Sequence, residues 1–315
     1  MLKRIARLLL CLVVIASLVS LLTGCSNQNS SGSSSGTSAI EQVTKLKVSV
    51  SFDAMKEFVQ AVGKDKVEVV TIIPAGVEPH DFEPKAQDLV ALSEAQIFVY
   101  NGLGMEAWAE EAIATAENSE LIVVEASKGV HLIENTEAEE IEEHGHYDPH
   151  VWLSLKEAAL EAENIKDALI LADQANQDYY EQNYSDFAAQ LDTLFNDYSE
   201  RFRSVAKKNF VTGHAAFGYL CQDFGLEQKS VEDTFAEGEP TAEQLSELVE
   251  YCKENNVTTI FAEEMVSPEI SQTLANEVGA KVETIYTIES AEDDGLTYLQ
   301  RMEDNLAKIY ASLTT

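Results

Sequence analysis

Six histidines are spread along the chain, at positions 80, 131, 144, 146, 150 and 214. Three have neighbourhoods that suggest chemistry. His80 lies in Glu78-Pro79-His80-Asp81-Phe82-Glu83-Pro84, His150 in Asp148-Pro149-His150-Val151-Trp152-Leu153-Ser154, and His214 in Thr212-Gly213-His214-Ala215-Ala216-Phe217. A neutral imidazole is a frequent nitrogen ligand of transition metals. Taken singly, each of the three reads better as a structural or surface histidine than as a ligand. Their placement is what unites them, because each falls at a turn between a β-rich run and a helical stretch. Such turns line the carboxyl edge of an open α/β sheet, where these sheets bind ligands.

The elements that must hold these turns alternate. Runs at 46–52, 67–73, 97–100 and 121–124 read as strands, with helical spacing at 53–62, 85–94 and 105–117. The pattern returns with strands at 210–212, 227–231, 258–262 and 281–285, and helices at 215–224, 241–255, 268–278 and 296–312. Alternation of this kind predicts βαβ units. The fold class is therefore α/β, with two lobes that are each a mostly parallel sheet flanked by helices. From 150 to 212 there is neither glycine nor proline, and Tyr180, Tyr184, Phe187, Leu191, Leu194, Tyr198, Phe202 and Val205 recur at spacings of three and four. A helix over 176–207 would be about 48 Å long, enough to join the lobes. A break at 173–176 leaves 154–172 with the first lobe, where Ser154 can cap the helix. The expected division is an N-terminal metal-binding lobe at 44–175, a linking helix at 176–207 and a C-terminal metal-binding lobe at 208–315. One helix as the crossover makes a stiff connection, so small lobe motions are expected.

The first residues indicate a location. Lys3, Arg4 and Arg7 precede an apolar run at 8–22, as in a secretory signal peptide over 1–24. The run is short for a membrane-spanning helix. It ends in Leu22-Thr23-Gly24-Cys25, which looks like a bacterial lipobox with Cys25 as the lipidated residue. Residues 25–43 form a flexible tether, since 26–38 carry no charge and no large apolar group. The charge is −34, from 21 Lys+Arg against 55 Asp+Glu, and removing 1–24 leaves 18 against 55, or −37. Such a field repels phosphate backbones, which excludes nucleic acid as a partner. Most of these carboxylates form a solvated surface. Four cysteines without a CxxC pair do not make a zinc fold, and Cys221 and Cys252 either pair or stay buried as thiols.

With EPHDFEP, DPHVWLS and TGHAAFGY in place, the sequence resembles the metal-specific solute-binding lipoproteins of bacterial ABC importers, the zinc- and manganese-binding group with a rigid linking helix. The resemblance runs from the strand at 46 to the terminal helix. It implies a metal between the lobes, held by His80 and His150 from the first and His214 from the second. In members that look like manganese carriers the position of His214 is typically a glutamate, so histidine favours the zinc branch. Zinc members with a late carboxylate carry it after a C-terminal strand, the place of Glu289 in Ile285-Tyr286-Thr287-Ile288-Glu289-Ser290. A water as fourth ligand, with Glu289 a solvated loop acid, is the alternative. Glu263 and Glu264 end another strand, as outer partners of the ligands or as plain helix-start acids. Three nitrogens and one oxygen suit tetrahedral zinc, whereas Mn²⁺ prefers more oxygen. Four protein ligands leave no place for an activated water, which argues for carriage and against an enzyme.

Six glutamates at 134–143 precede His144-Gly145-His146, a stretch that resembles a shortened form of the His-rich loop of zinc members. It is either a solvated loop or an accessory metal-gathering site. The expected protein is a monomeric, lipid-anchored receptor on the extracytoplasmic face of the cell membrane. It captures Zn²⁺ and passes it to an ABC permease driven by a separate ATPase, for this chain has no P-loop. The rivals are a manganese or iron carrier of the same fold, an extracellular metallohydrolase, for which no HExxH is present, and an adhesin.

Overall fold

A computed structural model describes residues 45–135, 141, 145–234, 241–263, 268–290 and 294–315. The expected signal peptide and tether, Cys25, His144 and Glu264 lie outside the described residues. Among the described residues no helix is long and apolar enough to cross a membrane.

Among the described residues eight strands form two sheets. The first contains β1 (Leu46–Val50), β2 (Val67–Thr71), β3 (Ile97–Tyr100) and β4 (Ile122–Glu125) in the order β2-β1-β3-β4. The second contains β5 (Asn209–Thr212), β6 (Glu227–Ser230), β7 (Thr259–Glu263) and β8 (Lys281–Ile285) in the order β6-β5-β7-β8. Every pairing is parallel. The inner strands β3 and β7 are buried along nearly their whole length, as parallel strands covered on both faces must be. In each sheet the chain leaves the first inner strand toward one edge and returns on the other inner strand toward the opposite edge. The carboxyl ends of β1 and β3, and of β5 and β7, thereby part and leave a crevice.

Helices α1 (Asp53–Gly63), α2 (Val90–Glu94), α3 (Ala109–Thr115) and α4 (Leu155–Ala172) flank the first sheet. Ser154 caps α4, its Oγ accepting from the backbone N–H of Lys156 and Glu157. A 3-10 turn at Gln174–Asn176 then separates α4 from α5 (Gln177–Ser204), whose 28 residues run about 42 Å. Around the second sheet lie α6 (Gly218–Phe224), α7 (Ala242–Glu254), α8 (Pro268–Val278) and α9 (Tyr298–Thr314).

The expected helices at 176–207 and 215–224 come out as Gln177–Ser204 and Gly218–Phe224, and two others are about half as long as expected. Of 85–94 only α2 is helical, because the Asp88 side chain accepts from the Lys85 N–H and closes a turn after Pro84. Of 105–117 only α3 is helical, after Gly102, Leu103 and Gly104 all adopt positive φ.

One apolar core runs through both lobes, from Val48 and Phe58 past Leu191 and Phe202 to Phe210, Phe261 and Leu306. At its middle Phe58 of α1, Phe187 of α5 and Tyr298 of α9 stand with ring centroids 4.8 to 6.1 Å apart. The lobes therefore share dry packing as well as a helix.

Candidate metal centre

Each candidate ligand lies in a connection that follows a strand. His80 is in the loop after β2, where its N–H donates to Glu78 Oε1 at 3.2 Å. His150 follows β4 at a distance and enters the 3-10 turn Val151–Leu153, with Asn101 Nδ2 donating to the carbonyl of Pro149. His214 comes directly after β5, and Glu289 follows β8 by four residues. All four side chains are at most 1% exposed.

The four converge. Glu289 Oε1 lies 3.2 Å from His150 Nε2, 3.7 Å from His214 Nε2 and 3.8 Å from His80 Nε2. The Nε2 atoms of His150 and His214 are 3.4 Å apart, and one donor atom from each residue falls within 4.8 Å of all the others. A tetrahedral zinc ion with bonds of about 2.0–2.1 Å sets its donors about 3.3–3.4 Å apart. Four of the six donor separations thus lie within a few tenths of an ångström of those edges, and the remaining two lie within 4.8 Å. Glu289 Oε1 is buried and makes no hydrogen bond within the protein, although three ring nitrogens face it. Glu289 Oε2 is occupied, accepting from Thr287 Oγ1 at 3.0 Å. An oxygen aimed among nitrogens at these distances is arranged for a cation at their centre.

Outer partners hold the donors. Asp148 Oδ1 lies 2.8 Å from His150 Nδ1 and also accepts the His150 N–H at 2.9 Å. Glu263 Oε1 accepts from the N–H of Gly213 and His214 at 3.0 and 3.2 Å, fixing the start of the His214 turn. Glu263 is therefore an outer partner of His214. The Glu289 loop is tied to the first lobe where Trp152 Nε1 donates to Thr287 O and Gly76 N donates to Ser290 Oγ, both at 2.7 Å. Sequence reasoning missed Asp148 and Trp152. The spacing of Asp148, two residues before a histidine and locked by Pro149, was the available signal for the first.

Burial and charge pull the cage in opposite directions. Burial takes His80 down to about 4. Burial also works downward on His214, but Glu289, then Glu263 and Glu78, overcome it and raise the ring to about 9. His150 is likewise raised, since Asp148 and Glu289 outweigh its burial. Burial pushes Glu289 up, yet the three rings hold it well below the usual carboxylate range. Glu78 is pushed to about 7, by burial first and by the Glu289 charge second. Without metal the cage therefore keeps a carboxylate and a protonated ring, positive charge standing where a cation would go.

The structure does not bring the remaining candidates to this place. His146 is exposed, beside the antiparallel bridge between Glu134 and Tyr147, and is not in the four-residue group. Cys221 and Cys252 are buried free thiols, and burial pushes both upward.

Two parallel α/β lobes on one long helix, with a nitrogen-rich cage between their strand ends, define a two-lobed solute receptor for a metal ion. The family model described as zinc-uptake complex component A, periplasmic, matches residues 48–312, and the chain belongs to that family. It is 43% identical over 281 residues to a putative metal-binding protein of Treponema pallidum (strain Nichols), across 87% of this chain and 89% of that one. It is 38% identical over 317 residues to the high-affinity zinc uptake system protein ZnuA of Bacillus subtilis (strain 168), across 96% of this chain and 97% of that one. The solved laminin-binding protein of Streptococcus agalactiae, described as bifunctional with adhesin and metal transporting activity, is similar with a TM-score of 0.77 and 35% identity, covering 85% of this chain and 99% of that one.

Proposed function

We propose that this chain is the extracytoplasmic receptor of a zinc ABC importer, with His80, His150, His214 and Glu289 closing on a single Zn²⁺ as cargo. The observation that supports it best is the convergence of four buried donors, four of whose six separations are 3.2 to 3.8 Å, close to the edges of a zinc tetrahedron. Lipid on Cys25 holds the monomer at the membrane, and a permease with its own ATPase takes the ion onward. With all four positions filled by protein there is no site for a metal-bound nucleophile, so the cage carries and does not hydrolyse. Three nitrogens to one oxygen oppose Mn²⁺ as the preferred cargo. His144 and His146, with the glutamates before them, gather metal for the main cage.

Isothermal titration of the apoprotein with Zn²⁺ and with Mn²⁺, repeated on His214→Ala, tests this reading. Tight zinc binding that the substitution weakens, with weak manganese binding, supports it. Tight Mn²⁺ binding beside weak Zn²⁺ binding overturns the choice of cargo.

A further inference from the structure

Glu289 reaches the cage from a strained loop. Ile288 beside it is buried with φ of 61°, a left-handed conformation that is costly for a β-branched side chain. Such a turn persists only where its surroundings hold it. At the far end of the loop, Arg301 Nη2 of α9 donates to Asp294 Oδ1 at 2.9 Å, with Nε 3.5 Å from Asp294 Oδ2. The other arm, Nη1, donates to Asp53 Oδ2 at 2.9 Å. Asp53 opens α1 in the first lobe, and its own N–H donates to the carbonyl of Glu289 at 3.4 Å. One guanidinium therefore ties the end of the Glu289 loop to the residue on which the Glu289 backbone rests.

The arm across to the first lobe is deeply set, with Arg301 and Asp53 side chains 3% and 2% exposed. A buried ion pair is weak evidence for stability, because apolar groups of the same volume often serve the fold as well. What a guanidinium provides is two rigid directions at once, which neither an ammonium nor an apolar group can copy. Lys56 also reaches Asp53, at 2.9 Å on Oδ1, so Asp53 keeps a cation when Arg301 is removed, but the link from Asp53 to Asp294 is lost.

We infer that Arg301 is a positioning residue for metal capture, holding Asp53 and Asp294 so that the Glu289 carboxylate stays within bonding reach of the three imidazoles. The inference rests on the reading of Glu289 as a ligand. Its signature is a faster loss of metal, since the three histidines are untouched.

A double-mutant cycle tests it on the mature protein: wild type, Arg301→Gln, Glu289→Ala and the pair, with Zn²⁺ affinity read by chelator competition and release by stopped flow. Arg301→Gln is expected to raise Kd about 10- to 100-fold through faster release, and Arg301→Lys to recover only part of it. In the Glu289→Ala background the same substitution is expected to change Kd by less than about twofold. An unchanged Kd for Arg301→Gln, or equal losses in both backgrounds, overturns the positioning role. A wild-type Kd for Glu289→Ala overturns the reading of Glu289 as a ligand instead. Should Arg301→Gln fail to fold, Asp294→Asn, at a side chain 22% exposed, removes the other end of the same link and carries the cycle with the same outcomes.

Discussion

Asp148 Oδ1 sits 2.8 Å from His150 Nδ1 in a site where both side chains are shut away from water. An ionised carboxylate only accepts, so the proton of the neutral ring stays on Nδ1 and Nε2 is left bare. That bare nitrogen is the atom 3.2 Å from Glu289. Orientation and tautomer are thus set by one contact two residues away.

Removing the charge while keeping the shape should show what the contact is worth. For Asp148→Asn the zinc Kd is expected to rise roughly tenfold or more, the usual cost of losing an outer partner. The melting temperature of the apoprotein should stay near that of wild type. Chelator competition and a thermal melt measure the two, and a Kd within twofold of wild type would remove Asp148 from the account.

Zinc must displace protons to enter. His214 is raised to about 9 and His150 is raised as well, while His80, at about 4, is already neutral near pH 7. A ring raised above the ambient pH opposes metal until it loses its proton, so affinity rises with pH up to about 9. The slope is about tenfold per pH unit for each proton displaced. At pH 7 at least one proton per zinc should appear in the bulk. Titration calorimetry in buffers of different ionisation enthalpy counts it, and an enthalpy independent of buffer would show that the empty cage holds none.

Much of this was legible beforehand, for identifiable reasons. An inner strand such as β3 announced itself as the continuous apolar run of a strand covered on both faces, the polar edge strand β6 has no such pattern, and all eight strands lie within two residues of their expected limits. His80, His150 and His214 stood out because proline or glycine beside each marks a fixed turn. Glu289 is one acid among 55 acidic residues and was reached through family resemblance, not spacing. The bond from Trp152 to Thr287 spans 135 residues, and a contact of that separation leaves no local pattern. Helix 85–94 was overextended because apolar spacing does not report the Asp88 turn after Pro84, and helix 105–117 because it does not report the left-handed residues at 102–104. Nor did spacing reveal Glu161, which occupies a buried place on α4 as a leucine would.

Glu161 predicts an unusual pH profile for the fold. It is fully buried, neither carboxyl oxygen has a hydrogen bond, and burial together with the charges of Glu106 and Glu157 raises it well above 4.5. Burial also raises Glu106, to about 7, although it accepts the N–H of Asn101 and Gly102 at 2.9 Å. A raised carboxyl binds more protons folded than unfolded. Its stabilising share is therefore complete below about 4.5 and is lost as pH climbs through the folded value, at about 1.4 kcal/mol per unit. Relative to wild type, apo Glu161→Gln should be favoured more at pH 8 than at pH 6.5, and least at pH 5. Urea unfolding of both proteins at pH 5, 6.5 and 8 gives the difference. If the difference is flat across that range, Glu161 is not the proton-holding group described.

Gly218 offers a way to disturb the cage without touching a donor. It begins α6, and a methyl group there would come within 2.8 Å of Asp148 Oδ2 and 3.4 Å of Ile133 Cδ1. Elsewhere a carboxylate would swing aside cheaply. Here the other oxygen is engaged by the ring and backbone of His150, so a displaced carboxylate takes the imidazole with it. Alanine has the better helix propensity, by up to about 1 kcal/mol in a helix interior, so the fold should not suffer. For Gly218→Ala the zinc Kd is therefore expected to rise about tenfold while the apoprotein melts no lower than wild type. The Co²⁺-loaded protein should also show weakened visible bands, as the ligand set departs from a tetrahedron. A variant that binds zinc as wild type does would mean that the Asp148 carboxylate is free to yield, and that His150 keeps its aim without it.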